Sequence, residues 1–235
     1  MLYKWLKPVR ASLYPPICLL CKAPGTDDLD ICIDCMEDLP RITQACRRCA
    51  IPLKSSRVEL CGACQHEPPP VDSTLAVYLY TFPVDRLITQ LKFRGKLPYA
   101  RLLGRLMTES LVGSIAETPD RIIPVPLHPW RIATRGFNQS LELARDISRH
   151  LQVPIDIDSV RRIRHTPPQT GLPEKDRQKN VRRAFDIRPT LSLDHVAIVD
   201  DVLTTGNTVR EMARMLKRSG VKRVDVWVLA RTAAS

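Results

Sequence analysis

Apolar and polar positions along the chain alternate between two periods. Runs at 75–81, 121–126, 196–199 and 224–230 have the length and β-branched content of strands, and VAIV at 196–199 is apolar at every position, as in a strand buried on both faces. Between the runs, apolar residues recur at helical spacing over 84–93, 99–112, 137–151 and 208–219. In 137–151, Leu141, Ala144, Arg145 and Ile147 are spaced to give one buried and one exposed edge. Strands alternating with helices predict a parallel α/β sheet covered by helices. A different pattern opens the chain: Leu2, Trp5, Leu6, Val9 and Leu13 share one helical face, which suits either an anionic membrane surface or packing on the protein's own domain. Lys4, Lys7 and Arg10 interrupt the apolar core a signal peptide needs, and no apolar stretch approaches the ~18 residues of a membrane span. The proline-bearing stretch QHEPPPVDS reads as a hinge. The expected organisation is an amphipathic segment at 1–15, a cysteine-rich unit at 16–70 and the α/β domain at 71–235.

Eight cysteines form four CxxC pairs, Cys18/Cys21, Cys32/Cys35, Cys46/Cys49 and Cys61/Cys64, separated by ten, ten and eleven residues. Two such knuckles complete one tetrahedral four-cysteine zinc site, so eight thiolates suit two structural zinc ions with no open position for catalysis. A disulfide scaffold requires an oxidising compartment, and a redox CxxC ordinarily occurs once. Sequential pairing of the knuckles is simpler than interleaving, though spacing alone allows both. Met36, Ala50 and Gln65 follow their knuckles where ribbons often carry glycine. A unit of this size has too small a core to fold well unaided, so metal binding carries much of its stability.

The net charge of +11 is unevenly placed. Residues 1–70 hold nine Lys/Arg and eight Asp/Glu, and residues 71–235 hold twenty-seven and seventeen. A basic surface of this kind attracts polyanions, nucleic acid above all, although it also serves a small anionic ligand or solubility.

The chemistry concentrates in VAIVDDVLTTGNT, beginning at Val196. The apolar run is expected to end before Asp200 and Asp201, placing both carboxylates at the carboxyl end of a parallel strand, where open α/β sheets bind ligands. Thr204, Thr205, Gly206, Asn207 and Thr208 then put hydroxyls and backbone N–H groups at the start of a helix whose dipole favours a phosphate. Gly206 permits the tight turn. A solvated, threonine-capped turn is the simpler reading, but capping does not account for two adjacent carboxylates that repel each other. The lysine of a Walker A loop is missing.

Three further segments bear on this site. VPLHPWRIATRGFNQS, between a strand and a helix, carries Arg131, Arg135, Gly136, Asn138 and Gln139, with arginine suited to bidentate phosphate contacts and glycine to close backbone approach, although Asn138 or Ser140 also suits a helix cap. The segment 161–183 has eight basic and two acidic residues, among them Arg164, Lys175, Arg177 and Lys179, and its prolines exclude one regular element. It fits a flap over a pyrophosphate, a groove for single strands, or a solvated face. In the third, Lys92, Phe93 and Arg94, the expectation is a core phenylalanine flanked by two solvated charges.

The VDDVLTTGNT loop resembles the phosphoribosyl pyrophosphate (PRPP) signature of type I phosphoribosyltransferases. That resemblance places the ribose hydroxyls on Asp200 and Asp201, the 5′-phosphate on 204–208, and pyrophosphate on the arginine loop, with Mg2+ accompanying PRPP. Taken together, the four knuckles, LKFRG, VPLHPWRIATRGFNQS, TPPQTGL and VDDVLTTGNT resemble the ComF family, which includes ComFC- and GntX-like proteins. The resemblance implies a parallel-sheet type I phosphoribosyltransferase-like domain preceded by a double zinc ribbon. It also implies a cytoplasmic competence protein that handles or imports single-stranded DNA in natural transformation. The basic segment and ribbons would then contact single strands or a helicase of the translocation machinery, with peripheral contact at the inner membrane face. The alternative is an active phosphoribosyltransferase. Asp200 and Asp201 would be its catalytic carboxylates, yet no residue cluster reads a purine or pyrimidine ring as acceptor. A third reading makes the ribbon a protein-docking platform.

Overall fold

The computed structural model describes residues 15–26, 29–94, 97–164, 184–188 and 193–233. The first fourteen residues, and with them the amphipathic face, lie outside these. Two short helices belong to the cysteine-rich unit, α1 (Ile33–Glu37) and α2 (Gly62–His66). The remaining elements are β1 (Ser73–Leu79), α3 (Val84–Arg94), α4 (Leu97–Val112), β2 (Arg121–Pro124), α5 (Pro129–Arg135), α6 (Gln139–Leu151), β3 (Val160–Arg162), β4 (Phe185–Ile187), β5 (His195–Leu203), α7 (Asn207–Arg218) and β6 (Arg223–Arg231).

The sheet runs β1-β6-β5-β2, parallel throughout. Its central strands β5 and β6 are buried at nearly every position because both faces are covered. Alternation sends Ala197, Val199, Trp227 and Leu229 into a core shared with Leu87, Leu91, Leu102 and Leu143 of α3, α4 and α6. It sends Val196, Ile198, Val224 and Val226 under Val209, Met212 and Leu216 of α7.

Two sequence expectations about element bounds are corrected. β5 does not end at residue 199: Asp200 pairs with Val228 and Leu203 with Arg231, so the neighbouring strand carries the ladder past both carboxylates. The arginine segment is not all loop. It contains α5, which His128 caps by accepting from the Trp130 amide at 3.3 Å, with Pro129 in the first turn and left-handed Gly136 (φ 84°) closing it. Beyond these corrections, a ribbon of β3 and β4 flanks the basic segment 161–183, Val160 opposite Ile187 and Arg162 opposite Phe185. Strands of three residues are too short to leave a period in the sequence.

The expected hinge is pinned. Asp72 donates its amide to the Val224 carbonyl at 2.8 Å, and its carboxylate meets Lys217 at 2.7 Å. Upstream, residues 40–47 run along the outer edge of β1, with Ile42 N–H on the Val77 carbonyl (2.9 Å), Leu79 N–H on Pro40 (2.8 Å) and Thr74 N–H on Arg47 (2.7 Å). The cysteine-rich unit thereby covers an edge that would otherwise offer unpaired backbone groups. Cys18, Ile31, Cys32 and Leu39 belong to the same buried cluster as Tyr78 and Leu87. No helix among the described residues is long and apolar enough to cross a membrane.

Candidate functional site

Sulfurs group the knuckles sequentially: Cys18, Cys21, Cys32 and Cys35 form one cluster, Cys46, Cys49, Cys61 and Cys64 the other, each with its ligand atoms within 4.8 Å of one another. The Cys21 and Cys32 sulfurs are 3.5 Å apart and those of Cys49 and Cys61 3.6 Å. A tetrahedral zinc with Zn–S of about 2.3 Å holds its sulfurs about 3.8 Å apart, so the spacing fits. With four thiols per cluster, both sites are structural. Ala50 is left-handed (φ 54°) after its knuckle, as is Lys22 (φ 72°), whereas Met36 and Gln65 lie in helical turns and need no glycine.

The second centre lies at the carboxyl edge of β5. Asp201 shares its strand face with Ala197 and Val199, the face that α3 covers, and there its Oδ2 meets Lys92 Nζ at 2.6 Å. Lys92 is therefore paired beside the acidic couple, not solvated. Its position four residues after buried Ile88 carries that signal. Asp200 Oδ1 accepts from Ser140 Oγ at 2.9 Å and from the Asp201 amide at 2.9 Å.

The two carboxylates are thereby driven apart. Burial and the charge of Asp201 push the Asp200 carboxyl up to about 7, against the opposing pull of the Asp201 amide, Lys92 and Ser140. At Asp201, burial acts in the same direction but is outweighed by the Lys92 ammonium, and the carboxyl lies below its ordinary value. The Lys92 pKa is raised, because Asp201 outweighs the burial that would lower it.

Arg135 and Arg162 interact with this couple, and Arg131 lies beside both of them. Burial lowers the pKa of Arg131 and of Arg135; at Arg135, Asp201 opposes the shift and Arg131 adds to it. Arg162, on β3, is lowered by burial and by Arg131, with Asp200 opposing, and its guanidinium lies 5.5 Å from the Phe185 ring centroid. Crowded, partly desolvated cations beside the carboxylate pair make an environment that favours an anion. Asn138 serves the helix: its Oδ1 accepts from the Ser140 amide at 3.0 Å and its Nδ2 donates to Val125 at 3.1 Å. Gln139 is buried and accepts from Arg135 Nη1 at 2.6 Å, which aims that arginine. Gly136 has open space around a would-be Cβ, so its role there is the left-handed turn. Arg164 is exposed beyond β3, whereas Lys175, Arg177 and Lys179 lie outside the described residues. Ser140 as a carboxylate partner and Arg162 as a site cation escaped the sequence reading, since neither stands out until α6 and β3 are brought to the end of β5.

At the following loop, Gly206 (φ 79°) opens α7 and, lacking a side chain, supplies no capping hydrogen bond to its first turn. Thr205 Oγ1 and Asn207 Nδ2 are buried and have no hydrogen-bond partner among the described residues. Polar atoms in this state are costly unless something meets them. A methyl on Gly206 would make only ordinary contacts, 3.5 Å to Arg210 and 3.7 Å to Leu203, so Gly206→Ala should cost about 1–2 kcal/mol through backbone conformation alone. A urea midpoint shift checks it.

The chain matches two family models, a double zinc ribbon domain over residues 9–65 and a phosphoribosyl transferase domain over residues 138–235. It is 38% identical over 223 residues to the DNA utilization protein YhgH of Shigella flexneri, covering 93% of this chain and 98% of that one. Competence protein F of Haemophilus influenzae is 36% identical over 178 residues, covering 73% of this chain and 78% of that one. Competence protein ComFC of Bacillus subtilis is 25% identical over 232 residues, covering 89% and 92%. With two four-cysteine clusters set against a parallel α/β domain of this kind, the chain belongs to the ComF family.

Proposed function

We propose that this protein handles single-stranded DNA during its uptake or utilisation, and that a phosphoribosyl-type pocket at the carboxyl edge of β5 grips the phosphate it acts through. The observation that carries this reading is the pair of buried, unpartnered polar atoms, Thr205 Oγ1 and Asn207 Nδ2, beside the uncapped start of α7. An anion there completes both. Asp200 and Asp201 accept from ribose hydroxyls, and Mg2+ bound with PRPP would meet the carboxylates and neutralise pyrophosphate charge. Arg131, Arg135 and Arg162 stand where the departing or bound phosphates need cations. The names of the relatives, DNA utilization and competence, together with the basic excess of residues 71–235, support the nucleic-acid role. In this reading the protein works in the cytoplasm, and the ribbon face serves a partner such as a translocation helicase.

Titration calorimetry with PRPP·Mg2+ tests the pocket. Thr205→Val and Asp200→Asn, both folded, are expected to weaken binding tenfold or more, and a wild-type protein that binds no PRPP would sink the phosphoribosyl reading. Filter binding of single-stranded oligonucleotides across a salt series tests the second half: affinity is expected to fall steeply with salt. Binding that is flat with salt, or absent below high micromolar, counts against DNA. Release of pyrophosphate from PRPP in the same samples would identify turnover.

A further inference from the structure

The last residue of β6, Arg231, is a buried arginine placed between the second metal cluster and the phosphate loop. We propose that Arg231 is a positioning residue that makes the geometry of the loop at 203–208 depend on occupancy of the Cys46/Cys49/Cys61/Cys64 site. The functional meaning of this coupling rests on the phosphate-loop reading above.

Arg231 is 7% exposed and donates in two directions. Its Nε bonds the carbonyl of Cys49, a ligand of the second cluster, at 2.9 Å. The two hydrogens of its Nη1 are shared among the Leu203 carbonyl at 3.0 Å, the Thr204 carbonyl, and the carbonyl (2.9 Å) and Oγ1 (3.0 Å) of Thr232. Leu203 and Thr204 lead directly into Thr205, Gly206 and Asn207, and Leu203 also receives the Thr232 amide at 3.1 Å. One planar guanidinium thus ties the backbone of a metal knuckle to the backbone of the anion loop, across a strand pairing in which Leu203 stands opposite Arg231. Only a fork of fixed donors does this; a lysine ammonium lacks the span.

The knuckle carbonyl is held where it is because Cys46 and Cys49 belong to one four-cysteine cluster and left-handed Ala50 turns the chain directly after them. The turn also carries its own backbone bonds, Ala50 N–H on the Cys46 carbonyl and Cys46 N–H on the Ile51 carbonyl, both at 2.8 Å, but without the metal Cys49 is no longer tied to Cys61 and Cys64. A buried guanidinium that loses one of its acceptors is strongly destabilised and must find water or other oxygens, and its remaining acceptors are the loop carbonyls. Loop order is then lost with the metal. The first cluster provides a control within the same molecule, since Cys18 and Cys32 pack with the core under α3 and α4. Coupling free energies are reciprocal, so an anion bound in the loop should retard metal loss from the second cluster and not the first.

Amide hydrogen exchange along 203–208 in the full, zinc-loaded chain is the direct readout, with the β6 amides at 226–228 as an internal reference for folding. Relative to that reference, Arg231→Lys, with both zincs retained, is expected to raise exchange in the loop at least tenfold. Cys61→Ser/Cys64→Ser should do the same, and Cys21→Ser/Cys35→Ser should leave it within twofold. PRPP·Mg2+ affinity is expected to fall in parallel, and saturating PRPP·Mg2+ should slow chelator extraction of one zinc of the two. Loop exchange unchanged in zinc-loaded Arg231→Lys overturns the proposal, as does an equal response to loss of either cluster. If the exchange results hold but the wild type binds no PRPP, the ligand reading fails and the mechanical coupling stands.

Discussion

At pH 8 and without ligand, Asp201→Asn is expected to destabilise the protein by about 2–4 kcal/mol, while Asp200→Asn, one residue away, stabilises it by about 2–4 kcal/mol. The signs differ because the environments differ. Asp201 Oδ2 is the counter-charge of Lys92, whose side chain is 24% exposed, and removing the carboxylate leaves a largely buried ammonium without its contact partner. Asp200 carries a charge that burial and Asp201 disfavour, with its carboxyl pushed up to about 7. Its folded pKa exceeds the unfolded one, so the folded state binds the extra proton between about pH 4 and 7 and loses stability as pH rises through that window. The gain from Asp200→Asn is therefore complete above pH 7 and vanishes near pH 4, changing by about 1.4 kcal/mol per unit between. For Asp201 the folded pKa is lowered, so its contribution is present above the unfolded value near 3.9 and is lost as pH falls through the lower folded one. Urea denaturation of both variants at pH 8 and pH 5 checks this, and a response of the same sign at pH 8 would contradict the assigned environments. Lys92→Met should recover most of the Asp201→Asn loss. A variant that gains stability while losing PRPP shows a carboxylate kept for its ligand rather than for the fold.

The parallel sheet was legible because β5 and β6 are buried on both faces, which writes an unbroken apolar run into the sequence at 196–199 and one interrupted only by Asp225 at 224–230. The limit of that reading is instructive: two aspartates in succession look like the end of a strand, yet the ladder continues beneath them because β6 remains apolar opposite. The metal clusters were legible as ligands from spacing alone, whereas their pairing required the chain path. At the site, Thr205, Gly206 and Asn207 were recognisable because their chemistry is contiguous. Lys92, Ser140 and Arg162 belong to three separate elements, and only the packing of α3, α6 and β3 around the end of β5 brings them to the carboxylates. Arg231 closes an apolar strand and looks like an ordinary solvated end; its role depends on a carbonyl 182 residues earlier.

Removal of zinc is expected to lower the melting temperature of the whole protein by at least about 10 °C and to do so in one transition, not two. A ribbon joined by a free hinge would melt separately and leave the α/β domain untouched. Here the first cluster is part of the domain's own core: Cys18, Ile31, Cys32 and Leu39 are buried with Tyr78, Leu87 and Leu102, and residues 40–47 pair along β1. When the thiolates of both clusters lose their metal, the small ribbon has no sufficient core of its own, and its collapse uncovers Leu87 and the edge of β1. Structural zinc in small ribbons is worth about 10–16 kcal/mol, and if even about 5 kcal/mol reaches the larger domain, the scaling of about 2–4 °C per kcal/mol gives the stated shift. Scanning calorimetry of the zinc-loaded and chelated protein reads it directly. A second transition at the original temperature after chelation would show that the α/β domain stands alone, as would a soluble, cooperatively folding chain beginning at residue 71. Either result would return the proline-bearing stretch to a hinge and detach the anion loop from the ribbon.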